Sequence, residues 1–168
     1  MAELRPIIAT LIVDKESQAK FQRLRDRYYP AARTPAHVTL FRHLPEREPE
    51  EVAKRIREIT KGIAPFPIEV TAPMSMSNGV ALELHAPELI ALRTRIADEY
   101  SAHLRREDKK PFAPHMTVQN RVTRRRAQRT LGSVRGSFTP FTATGEGIAL
   151  WFYMGGPWAP LDEILFEG

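Results

Sequence analysis

Histidine followed two residues later by threonine occurs twice in the chain, at His37-Val38-Thr39-Leu40 and at His115-Met116-Thr117-Val118, with Pro35 and Pro114 just upstream. Alternate side chains of a β-strand share one face. Read as strands, the two segments each set an imidazole beside a hydroxyl, with Val38 and Leu40, or Met116 and Val118, turned to a core behind. Imidazole has an ordinary pKa near ~6.5, so its neutral and protonated forms coexist around neutral pH. Two of them suit cleavage of a phosphodiester, which needs a base on the incoming oxygen and an acid on the departing one. The threonine hydroxyls, about 6.6 Å along each strand, can donate to the non-bridging oxygens where charge develops. Such a site requires no metal. A single His-x-Thr is uninformative; two copies in matched contexts are not.

Periodicity places the motifs. Ile7 to Val13 is a β-branched apolar run and predicts a buried strand. Asp14 can cap a helix with Phe21, Leu24 and Tyr28 on one side, stopped by Pro30. The first histidine strand runs from about His37 to Leu44. A helix from Pro49, with stripe Val52, Ile56 and Ile59 and a Gly62 cap, leads to a strand from Phe66 to Val70. Asn78-Gly79 predicts a turn into a strand Val80 to His85, followed by a helix from Pro87 bearing Leu89, Leu92, Ile96 and Tyr100. A basic loop from Arg105 to Pro111 precedes the second histidine strand. Thr123 can cap a helix with Ala127, Leu131 and Val134, ended by Gly136. Phe138 to Thr144, Gly147 to Met154 and Leu161 to Phe166 predict closing strands, with Gly155-Gly156-Pro157 as a turn.

Strand, helix, histidine strand, helix, strand therefore appears twice, and the two histidines lie 78 residues apart. The expectation is a single α+β domain over 1–168, duplicated as halves 1–76 and 77–168. It would form two pseudo-symmetric βα lobes, with antiparallel-rich sheets around a central cleft. A chain of 168 residues with 42% hydrophobic and 27% charged residues is long enough for a sizeable core. The absence of cysteine excludes disulfides and thiolate metal sites. The apolar run after Met1-Ala2-Glu3-Leu4-Arg5-Pro6 is too short to cross a membrane and no small-residue cleavage site follows it, so a cytoplasmic protein is expected. The net charge of +5 favours acidic partners such as nucleic acid.

The two segments resemble the paired motifs of the two-histidine (2H) phosphoesterases, the 2′-5′ RNA ligase-like superfamily, over nearly the whole chain. The flanks Pro35-Ala36-His37-Val38-Thr39-Leu40-Phe41, Pro114-His115-Met116-Thr117-Val118-Gln119-Asn120 and Leu150 to Trp158 are similar to a bacterial branch of it. The resemblance implies two βα lobes facing a cleft and metal-independent hydrolysis of 2′,3′-cyclic or 2′,5′ phosphodiesters on RNA ends or nucleotides. It implies His37 and His115 as the acid/base pair and Thr39 and Thr117 as phosphate holders, with no cofactor and no metal. A provisional division makes His115 the base on water and His37 the acid on the leaving oxygen. The expected partners are RNA ends or small nucleotides, without a membrane, and the expected state is a monomer. The alternative is a module that binds RNA ends or nucleotides in the same cleft without turnover.

Distance sorts the remaining candidates. His43 lies about 20 Å along the strand from His37, too far to share a phosphate or a metal. Phe41 and Gln119, about 13 Å out, are candidates to touch a nucleoside. Trp151 and Tyr153 share a strand face and could stack a base, while Trp158 is read as packing and His85 and His103 as structural. Arg105, Arg106, Lys109 and Lys110 could reach the cleft rim. Arg124, Arg125 and Arg126 crowd a helix N-terminus, where each cation is unfavourable by roughly 0.3–1 kcal/mol, whereas members of the resembling branch more often carry acidic residues there. They stand nine or more residues from His115, about 30 Å along an extended chain, so they cannot touch the reacting phosphate. A solvated face is the expected reading of that cluster, with distal RNA as the other.

Overall fold

Strand β1 (Ile7–Val13) is the hub of the sheet, because its apolar run is buried on both sides and pairs with two neighbours. The computed structural model describes residues 4–45 and 47–168, so Met1 to Glu3 of the stretch considered above lie outside the described residues. After β1 come α1 (Lys15–Tyr28), β2 (Val38–Leu44), α2 (Pro49–Thr60), β3 (Phe66–Met76) and β4 (Gly79–His85). The order continues with α3 (Pro87–Glu99), α4 (Arg106–Lys109), β5 (His115–Gln119), α5 (Arg124–Ser137), β6 (Phe141–Tyr153) and β7 (Trp158–Leu165). All strands share one antiparallel sheet in the order β1-β2-β5-β4-β3-β6-β7. A further β1–β6 pairing closes six of them into a barrel-like ring. The expected mixed fold rich in antiparallel strands forms, as one closed sheet in which β2 of the first sequence half adjoins β5 of the second, and β3 of the first lies between β4 and β6 of the second.

Local chemistry explains most boundaries. The Asp14 carboxylate accepts from the Ser17 amide and opens α1, while its other oxygen accepts from Thr144 of β6. Gly62, at φ +83°, ends α2 in the left-handed region that favours glycine. The hydrophobic stripes expected for α2 and α3 are buried at Val52, Ile56, Leu89, Leu92 and Ile96.

Several boundaries differ from expectation, among them β3, which runs on from Val70 to Met76, and β7, which opens at Trp158 rather than Leu161. The β3–β4 turn is centred on Ser77 and Asn78, and Gly79 already pairs with Met76. Its glycine answers a close approach, since an added Cβ would lie 1.9 Å from the Gln119 carbonyl oxygen of β5. The two predicted closing strands are one continuous β6, because Gly145 and Gly147 are also sites of close approach. A Cβ there would meet the Phe66 ring at 2.9 Å and the Ile164 carbonyl oxygen at 2.4 Å. Helix α5 runs through Gly136 to Ser137. The basic loop contains the short helix α4, whose Asp108 is buried.

Candidate active site

The two motifs meet across β2 and β5. Val38 and Met116 are Cα partners in an antiparallel pairing, and both side chains are buried. That register sets His37 opposite Thr117 and Thr39 opposite His115, on the other face. Directly opposed residues have Cβ atoms about 4.5–5.5 Å apart, so two imidazoles and two hydroxyls form one group related by a local two-fold axis. Thr10 of β1 lies beside Thr39, and Ala81 and Glu83 of β4 lie beside Thr117 and His115.

Both rings are held in the same way. His37 Nδ1 is 2.8 Å from the Pro35 carbonyl oxygen, and His115 Nδ1 is 2.9 Å from the Ala113 carbonyl oxygen. A carbonyl only accepts, so Nδ1 carries the hydrogen in each ring. In the neutral form Nε2 is then the basic nitrogen, and in the protonated form it is the donor. The two-residue reach back to a carbonyl follows from the extended backbone around Pro35 and Pro114.

Their surroundings are not equal. The Trp158 ring packs against His37 with centroids 4.5 Å apart, and Trp151 lies 5.9 Å from Trp158. The Trp151 indole donates to Thr10 Oγ1 at 3.0 Å. Burial pushes the His37 pKa down to about 4; the Pro35 carbonyl opposes this, while the nearby charges of Arg25, Arg42 and His115 add to it. The turn through Gly155, at φ +87°, delivers Trp158 to this position, and the Arg33 guanidinium lies against Gly156. Trp158 is thus a site neighbour that its place after a Gly-Gly-Pro turn did not reveal.

Two nucleoside-contact candidates are corrected. Phe41 is wholly buried and lies under the Arg93 guanidinium, 4.1 Å from ring centroid to carbon. Gln119 is also buried, its side-chain amide donating to the Tyr28 carbonyl. The cause is a register shift at the same place in each motif. On β2 the pairing steps from Thr39 to Phe41 against one residue of β1, and on β5 from Thr117 to Gln119 against one residue of β4. Each bulge turns consecutive residues, Leu40-Phe41 and Val118-Gln119, inward. Arg42 is exposed beyond the first bulge, with its charge felt at His37. Trp151 is half-buried and Tyr153 is exposed, one turn from Trp158.

Buried polar residues brace both bulges. Asp108 accepts from the Arg42 and His43 amides at 2.8 and 2.9 Å. Arg93 of α3 donates to the Leu40 and Asp108 carbonyls. Arg25 of α1 donates to the Thr117 carbonyl and to Thr34. A helix from each half of the chain thereby grips the motif strand of the other half. Lys110 is paired with Glu107. A recess of about 920 Å³ is lined by His43, Tyr100 and His103 and by charged residues of α2, and includes none of the four motif residues. Among the described residues no group of three His, Cys, Asp or Glu side chains could hold a metal ion, and no helix is long and apolar enough to cross a membrane.

Known proteins resemble this chain in sequence or in fold. A protein of Halalkalibacterium halodurans whose name classes it as a phosphoesterase is 32% identical over 108 residues, 60% of this chain and 61% of that one. The fold is similar to TT0787 of Thermus thermophilus (TM-score 0.68, 17% identity, 97% of this chain and 98% of that one). It is also similar to Escherichia coli LigT crystallised with 3′-AMP (TM-score 0.65, 15% identity, 99% and 100%). The family model described as the 2′-5′ RNA ligase superfamily matches residues 13–157, which contain both histidine motifs and strands β2 to β6. With its two His-Thr pairs facing one another across β2 and β5, the chain belongs to the 2′-5′ RNA ligase superfamily.

Proposed function

We propose that the protein is a metal-independent phosphodiesterase that hydrolyses 2′,3′-cyclic or 2′,5′ phosphodiester bonds of RNA ends or nucleotides. The carrying observation is the matched pair of imidazoles, each with Nδ1 on a backbone carbonyl and a threonine opposite it. Family membership and the name of the 32% identical relative support the same chemistry. LigT has been crystallised with 3′-AMP, ATP and NADP+, so that relative accepts nucleotides.

The asymmetry supports one division of roles. His37, held neutral under Trp158, is the base: Nε2 takes a proton from water as its oxygen attacks phosphorus. His115, protonated, gives its Nε2 hydrogen to the ester oxygen as the phosphorus–oxygen bond breaks. The Thr39 and Thr117 hydroxyls donate to the non-bridging oxygens. This reading reverses the provisional division, on the support of the stacking and burial of His37.

The test is a panel of 2′,3′-cyclic mononucleotides, cyclic-ended RNA and 2′,5′-oligonucleotides assayed with a chelator present. Turnover of at least one class, lost on His37→Asn or His115→Asn, is expected. Absence of turnover on all three, or turnover abolished by the chelator, overturns the reading.

A further inference from the structure

From Lys109 to Gly145 the chain contains no aspartate or glutamate, yet it carries eight lysines and arginines. Six of them, Arg121, Arg124, Arg125, Arg126, Arg129 and Arg135, lie on the β5–α5 loop and on α5, and all are exposed. Helix α5 buries Ala127, Thr130, Leu131 and Val134 and packs on β3 and β4, so its arginines stand on the outer side. Among the described residues none of the six makes an ion pair. The first turn holds no acidic residue, although the helix dipole favours one there and disfavours cations. Arg125 and Arg129 are a like-charged i,i+4 pair, which is also unfavourable. Among the described residues nothing accounts for this concentration of charge. A polyanion outside it would.

The position of the cluster narrows the partner. Helix α5 follows β5 directly, and Arg124 is seven residues beyond Thr117, at most about 25 Å along the chain. A strand of several nucleotides covers a span of that length. Arginine presents a planar fork that suits phosphate oxygens, and backbone contacts of this kind need no base recognition. A membrane surface fits less well, because the apolar side of α5 is already buried against the sheet. The large exposed apolar residues, Leu4, Ile90, Tyr153, Met154 and Leu165, all lie elsewhere.

We infer that the arginine face of α5, with Arg121, Arg124, Arg125, Arg126 and Arg129, docks the phosphate backbone of a single-stranded RNA whose end occupies the cleft between His37 and His115. The assignment of RNA rests on the proposed reaction, which needs a 2′-oxygen at the strand end; the docking surface itself does not. The substrate class is then an oligonucleotide, with the cyclic mononucleotide only its minimal fragment.

Fluorescence anisotropy of the full chain with a labelled 12-nucleotide RNA bearing a 3′-phosphate, and with the corresponding dinucleotide, tests this at salt from 50 to 300 mM (roughly the range where counterion release dominates). The 12-mer is expected to bind at least about tenfold tighter than the dinucleotide, with a steep loss on adding salt. The triple variant Arg124→Gln, Arg125→Gln, Arg126→Gln is expected to weaken the 12-mer at least about tenfold and to flatten the salt slope by about 2, from three phosphates at ~0.7 each. In kinetics the ratio of kcat/KM on cyclic-ended 12-mer to that on cyclic mononucleotide should fall with it. Equal affinity for both lengths, an unchanged slope in the variant, or binding of anionic phosphatidylserine vesicles without RNA overturns the inference. Arginine-dependent RNA binding in a protein that cleaves no phosphodiester would leave the surface standing and remove the proposed reaction. Cleavage indifferent to the arginines would do the opposite.

Discussion

The imidazole of His37 lies against the indole of Trp158, ring centroids 4.5 Å apart, while no aromatic ring contact involves His115 among the described residues. The contact shields part of the ring from water, and burial holds the His37 pKa down at about 4. On the proposed mechanism the acidic limb of the rate profile then falls near that value rather than near ~6.5. Trp158→Leu is expected to move the His37 titration, followed by NMR of the ring protons, upward toward ~6.5, and the acidic limb with it. Between the two values the unfolded chain binds a proton that the native state does not. Stability from this group is therefore full above ~6.5 and declines as pH falls toward about 4. A wild-type His37 that titrates near ~6.5 would sink both the pKa assignment and the role of base.

The four motif side chains can be separated by their kind of contribution. His37→Asn and His115→Asn should each cost about 10²–10⁴ in kcat, the usual range for general acid or base catalysis. The double variant should lose far less than the product, since the pair acts as a unit. Thr39→Val and Thr117→Val each remove a donor to a charged oxygen, about 1.5–3 kcal/mol or roughly ten- to a hundredfold. All four side chains are partly exposed and face away from the Val38–Met116 core, so thermal midpoints should stay close to wild type. A loss of folding that parallels the loss of rate would falsify this separation.

The catalytic candidates were legible because a period of two fixes which residues share a strand face, and the repeat at residue 115 made coincidence a poor explanation. The helices followed from stripes such as Val52-Ile56 and from caps such as Asp14 and Gly62. The limit of that logic appears at Phe41 and Gln119. A bulge adds one residue and reverses every side chain beyond it, and no residue type around Leu40 or Val118 announces it. Arg25, Arg93 and Asp108 were illegible for a related reason. Each reads as a surface charge in its own helix or loop, and becomes a buried brace only when a strand remote in sequence presents backbone groups to it. Gly145 and Gly147 read as a break because glycine disfavours strands, whereas the closing of the sheet requires it there.

Asp108 supplies a stability prediction that runs through the site. Its buried carboxylate accepts the Arg42 and His43 amides where β2 is bulged, and Arg93 donates to its carbonyl. Asp108→Ala leaves two part-buried amides without their acceptor and should cost about 1–3 kcal/mol in denaturant unfolding, the range for charged hydrogen bonds and unsatisfied groups. Asp108→Asn should recover part of this, since one amide oxygen can still accept. The bulge positions Arg42 near His37, so the surviving folded fraction of Asp108→Ala should also show a His37 titration displaced upward. An unfolding midpoint equal to wild type would show that the bulge does not depend on this carboxylate.

Two glycine substitutions should act with opposite sign. At Gly79 an added methyl would stand 1.9 Å from the Gln119 carbonyl oxygen and 2.9 Å from Asn120 Cα, both backbone atoms that cannot rotate aside. Strands β4 and β5 must then separate where Val80 pairs with Gln119 and Ala81 with Thr117. Gly79→Ala should therefore lose about 1–3 kcal/mol, the range for overpacking, and should lower turnover as well, because Thr117 moves with its strand. Gly132 lies inside α5 with nothing within 4 Å of the position its Cβ would take. There alanine restricts the unfolded chain and clashes with nothing, so Gly132→Ala should gain about 0.5–1 kcal/mol with unchanged turnover of a cyclic mononucleotide. Denaturant midpoints of the two variants, measured side by side with activity, decide the matter. If Gly79→Ala were neutral, the close approach of β4 to β5 that fixes Thr117 would not exist.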